Sequence, residues 1–76
     1  MFGITTTYSQ GGIVRYLVYR IDQGQVLFLM KGNYFLKSSE TSSHEVSDRK
    51  LFKTMEKAEL EIFTLRRQNK IQKLLY

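Results

Sequence analysis

Residues 13–31, IVRYLVYRIDQGQVLFLMK, decide the fold. Two runs rich in β-branched and aromatic residues flank Asp22-Gln23-Gly24, and such residues fit a pleated, half-buried surface. Glycine takes the positive φ that a tight hairpin demands, so the pair reads as two antiparallel strands joined by a short turn. In the first run Val14, Tyr16 and Val18 point one way and Ile13, Leu17, Tyr19 and Ile21 the other. In the second, Val26, Phe28 and Met30 oppose Leu27 and Leu29. Both faces are apolar, whereas an antiparallel sheet covered on one side alternates apolar with polar residues.

Working outward, residues 2–8, FGITTTY, predict a strand before this hairpin, with Ser9-Gln10-Gly11-Gly12 as the turn. On the other side Gly32-Asn33 predicts a two-residue turn into a short strand from Tyr34 to Lys37. Residues 38–48, SSETSSHEVSD, keep no apolar period and read as a polar, acidic loop. From Arg49 the pattern turns helical. Thr54 is a good N-cap, Glu56 suits the positive end of the helix dipole, and Met55 to about Lys70 contains neither Pro nor Gly. The helical pattern either runs to the C-terminus or ends near Gln68-Asn69. The expectation is one α+β domain over residues 1–76: an antiparallel three- to four-stranded sheet (2–37), a polar acidic loop (38–48) and one basic C-terminal helix (49–76) packed on the sheet.

A single helix shields one face of a sheet. At 100° per residue Met55, Ala58, Ile62 and Leu65 form the stripe expected to sit on it. Leu60, Phe63, Ile71 and Leu74 form a second stripe. Either the 38–48 loop folds over the apolar surplus or another chain covers it, and a homodimer or a partner-protein interface is the expectation, with those four residues as its apolar part.

At 76 residues the chain is near the lower limit for independent folding, where about 60% of the chain's surface is buried. Such domains usually carry a disulfide, a metal or a second subunit. There is no cysteine, which removes disulfides and thiolate metal sites and makes the cytoplasm the default compartment. Residues 1–12 have neither the charged start nor the apolar stretch of a secretory signal. The longest apolar run, Val26 to Met30, is far short of the ~20 residues that span a bilayer. Neither secretion nor membrane insertion is expected.

Lys/Arg and Asp/Glu balance over residues 1–48, so the whole net charge of +5 belongs to residues 49–76, where eight Lys/Arg face three Glu. Arg66, Lys70 and Lys73 fall on one helical face with Arg67 beside them, in reach of consecutive phosphates. Tyr8, Tyr16, Tyr19 and Tyr34 lie on strands, placed either for base stacking or for cross-strand packing.

Catalytic chemistry has little to stand on. His44 is the only histidine and lies among serines. Glu40, His44 and Asp48 would share a face only if 40–48 were helical, and no zinc pattern exists without a second His or a Cys. The glycines match neither a P-loop nor a dinucleotide fingerprint, and no nucleophile elbow is present. No metal, cofactor, small-molecule substrate or enzymatic activity is expected. The expected function is a small binding protein that associates with nucleic acid or a nucleoprotein complex through its basic helix. The alternative is a protein-binding inhibitor or adaptor, such as a small phage or mobile-element product that blocks a host nuclease or defence complex.

Leu51-Phe52-Lys53-Thr54-Met55-Glu56-Lys57-Ala58, following three strands, resembles the strand-to-helix junction of the small DNA-binding domains at the N-termini of phage-type integrases. The likeness covers these eight residues and the order of elements. It implies a three-stranded sheet that enters the major groove.

Overall fold

The structure, a computed structural model, describes the backbone of residues 1–75 and the side chains through Gln68. It is an α+β fold: β1 (Phe2–Tyr8), β2 (Val14–Asp22), β3 (Gln25–Leu29) and β4 (Phe35–Lys37), then a 3-10 turn at Ser38–Glu40, α1 (Ser43–Val46) and α2 (Met55–Leu75). The strands form one antiparallel sheet in the order β1-β2-β3-β4, and α2 packs across β1 and β2. The β2–β3 turn is the expected one: Asp22 pairs with Gln25, and Gln23 and Gly24 sit at φ of 51° and 75°. Positive φ at both central residues gives the turn a twist that matches its strands. The β3–β4 turn is wider than expected, because Met30 N–H donates to Tyr34 C=O and leaves Lys31, Gly32 and Asn33 in the loop.

The register assigns the two sheet faces. Phe2, Ile4, Tyr16, Val18, Leu29 and Phe35 lie under α2, where Val18, Leu29, Ala58 and Ile62 form the buried core. Ala58, Ile62 and Leu65 of the expected stripe meet the sheet. Met55 is 40% exposed at the helix margin.

Two expectations are corrected. Residues 38–48 are not all loop: α1 begins at the capping box of Ser42 and Glu45, whose side chain and backbone bond each other reciprocally. A capping box satisfies orphan N–H groups locally, so one helical turn forms without an apolar period to announce it. The helix does not begin at Arg49, either. Residues 49–52 run extended between the diverging ends of β2 and β3, with Lys50 N–H donating to Leu29 C=O and Tyr16 and Phe52 exchanging both backbone bonds. Two residues further on, Thr54 caps α2 as expected, its hydroxyl accepting from Lys57 N–H at 3.2 Å.

That extended segment answers much of the apolar surplus. Its side chains alternate, so Lys50 and Phe52 face α2 while Arg49 and Leu51 cover the far face of the sheet. Leu17 and Met30, which point away from α2, are thereby buried. Thr5, Tyr19, Ile21, Val26 and Phe28 line a shallow depression on the part of the far face left open.

Candidate nucleic-acid interface

The helix carries its three glutamates, Glu56, Glu59 and Glu61, with Lys57 among them, ahead of Arg66 and Arg67. Glu61 is tied inward, its carboxylate 3.4 Å from Lys50 Nζ, and that ammonium also donates to Asn33 Oδ1 at 2.9 Å. Arg66 and Arg67 are exposed, and neither enters an ion pair among the described residues. The Arg67 guanidinium lies 5.8 Å from the Phe63 ring centroid, a cation–π contact that holds the side chain over the helix while its donors stay in water. Lys70 and Lys73 lie outside the described side chains, as do Ile71 and Leu74.

Of the expected apolar stripe, Leu60 and Phe63 are described, at 64% and 58% exposure. Phe63 borders a groove between α2 and the first residues of β1, together with Met55, Glu59, Ile62 and Arg66. Leu60 lies beyond that groove, facing solvent.

The tyrosines divide as well. Tyr16 packs against the core. Tyr19 lies over Gly3, whose missing Cβ leaves room for the ring, and meets Phe28 edge-on at 6.3 Å. Tyr8 and Tyr34 are exposed. Cross-strand packing therefore accounts for Tyr16 and Tyr19.

A second basic position escaped the sequence reading. On the far face Arg15 pairs across from Thr7, and Arg49 stacks 4.0 Å from the Phe28 ring centroid. The two arginines, with Thr7, Ser9, Leu17, Ser47 and Leu51, border a pocket of ≈ 170 Å³. Neither forms an ion pair among the described residues. Arg15 Nη1 donates to Val14 C=O at 2.9 Å, while the buried Arg49 Nε has no hydrogen-bond partner among the described residues. The hydroxyls do not complete an anion cradle, because Ser9 donates to Ile13 C=O and Ser47 to His44 C=O. Arg15 was legible from its parity with Leu17 and Tyr19. Arg49 was hidden by its assignment to the helix.

His44 is exposed on α1, and no group of three His, Asp or Glu side chains placed to hold a metal ion occurs among the described residues. No described helix is long and apolar enough to cross a membrane. No protein-family model, curated protein or solved structure matches this chain.

Proposed function

We propose that this protein is a non-enzymatic binding module that docks nucleic-acid phosphates on the basic half of α2. The observation that carries this reading is the pair Arg66 and Arg67, both outward and free of carboxylate partners among the described residues, in the segment that holds the whole net charge of +5. An arginine already paired with a carboxylate gains little by meeting a phosphate. An unpaired one releases condensed counterions from the nucleic acid, which makes the affinity depend on salt. The partner is nucleic acid, or the nucleic-acid component of a nucleoprotein complex met in the cytoplasm.

Fluorescence anisotropy with mixed-sequence DNA and RNA oligonucleotides over a range of salt tests this. Affinity should fall steeply as salt rises. Replacing Arg66 and Arg67 together with Ala should weaken binding about equally across sequences and reduce the magnitude of the log–log salt slope by about 2. Binding that is absent at low salt, or a slope unmoved by the double substitution, overturns the reading.

A second reading, a protein-binding inhibitor or adaptor, is favoured by the open aromatic and aliphatic depression of Tyr19, Ile21, Val26 and Phe28. Its mark would be a stoichiometric protein complex that survives high salt and is lost on Phe28→Asp.

A further inference from the structure

β1 is a sheet edge, and the direction of its backbone groups follows from two bonds. Ile21 N–H donates to Met1 C=O at 2.8 Å, and Ser9 N–H donates to Ile13 C=O at 2.9 Å. In an antiparallel ladder, residues bonded to the partner alternate with residues whose groups face away. The odd-numbered residues of β1 are therefore bonded to β2, and Phe2, Ile4, Thr6 and Tyr8 direct N–H and C=O outward. No described backbone group outside the strand bonds them.

Such an edge invites another strand, and proteins normally guard it with charge, proline, a bulge or brevity. The strand β1, FGITTTY, is seven residues long and has no charge and no proline, and its register with β2 runs unbroken from Phe2↔Arg20 to Tyr8↔Val14. The opposite edge is guarded: β4 is three residues long, ends at Lys37 and turns directly into Ser38–Glu40. One open edge and one closed edge suit a closed pair rather than a growing fibre.

We propose that a second copy of this chain pairs along β1, antiparallel, about a two-fold axis through Thr5 and perpendicular to the sheet. Phe2 then opposes Tyr8 and Ile4 opposes Thr6, so every outward backbone group of β1 finds a partner. This register also keeps both copies of α2 on the same side of a continuous eight-stranded sheet, twice the strands of one chain.

The helices fit the same operation. The helix α2 packs on both β1 and β2, so its axis rides above the boundary between them. With strands ~4.8 Å apart, joining two β1 edges sets the two helix axes about 10 Å apart, the distance at which helices pack. The flank of α2 turned toward that edge reads Met55, Glu59, Phe63, Arg66, and these residues line the groove against Phe2, Gly3 and Ile4. The two-fold axis runs the helices antiparallel, which brings Glu59 of one copy toward Arg66 of the other with the exposed Phe63 rings between, and leaves Arg67 of each copy to meet phosphate, two per dimer. An acid, an aromatic and a base in that order complement their own inverted copy. That match identifies the occupant as this same chain.

Sedimentation equilibrium of the full chain, without nucleic acid, tests the pairing independently of the phosphate-docking proposal. The wild type should show twice the chain mass. Thr6→Pro removes one outward N–H and no bond to β2, so it should give the single-chain mass with an unchanged circular dichroism spectrum. Glu59→Arg should weaken the dimer about tenfold or more, because each of two symmetric pairs turns from attraction to repulsion. Adding Arg66→Glu to Glu59→Arg should restore it, a readout that holds even if Thr6→Pro fails to fold. A wild type at single-chain mass up to millimolar concentration overturns the proposal. So does a dimer indifferent to Glu59→Arg.

Discussion

Leu29 illustrates how much stability one well-placed side chain holds in so small a protein. It is 1% exposed and packs with Val18, Ala58 and Ile62 between sheet and helix. Truncating a buried leucine costs the lost transfer energy and the cavity left behind, about 2–5 kcal/mol. The whole domain holds only about 4–11 kcal/mol by the usual per-residue range. Leu29→Ala should therefore lower the urea midpoint sharply with little change in slope, while Leu60→Ala, on the solvent side of α2, should stay within about 0.5 kcal/mol. Equal effects at the two positions would mean that the helix is docked on a different face from the one described. The inward role of Ile62 was legible from the helical period, whereas those of Val18 and Leu29 were not, because both faces of their strands are apolar and alternation alone does not say which one the helix covers. Nor was the place of Arg49. Its stacking on Phe28 depends on an extended backbone at a position where helix-forming neighbours suggest the opposite.

The extended segment 49–52 extends that lesson to the level of elements. Local propensity assigns it to the helix, but strands β2 and β3 pair only from Tyr19 to Asp22 against Gln25 to Phe28 and then diverge. The diverging ends of the two strands offer backbone groups that a third extended segment can pair with, and burial makes leaving such groups unpaired costly. That tertiary demand outweighs propensities of a few tenths of a kcal/mol per residue. Strands β1 to β3 and α2 were legible because each is long or strongly patterned, and the three-residue β4 from the Gly32-Asn33 turn before it. The segment 49–52 and α1 were not, since one is defined by distant partners and the other by a single capping box. Hydrogen exchange separates the two. The amides of Tyr16, Lys50 and Phe52, tied between strands, should exchange only on global unfolding, and Val46 N–H in the single turn of α1 should exchange orders of magnitude faster. Fast exchange at Lys50 and Phe52 would show that the segment merely lies on the sheet.

For the whole molecule, two features bear on the proposed pairing. The chain has no disulfide, and its buried apolar set among the described residues is short: Leu17, Val18, Leu29, Met30, Ala58 and Ile62. A core of this kind leaves a domain of this size only marginally stable. Phe63, Met55 and the outward half of the β1 backbone are then surface that the native state can still bury, and pairing along β1 would bury it. If the second copy binds only the folded chain, folding is coupled to association and mass action raises the melting temperature with concentration. Wild-type Tm should climb steadily as the chain is concentrated, in phosphate-free buffer without nucleic acid. Thr6→Pro, which keeps the β2 ladder but loses the outward edge, should melt at one temperature throughout. A wild-type Tm independent of concentration would leave the small core to stabilise the fold alone, and the uncharged edge of β1 would need another occupant.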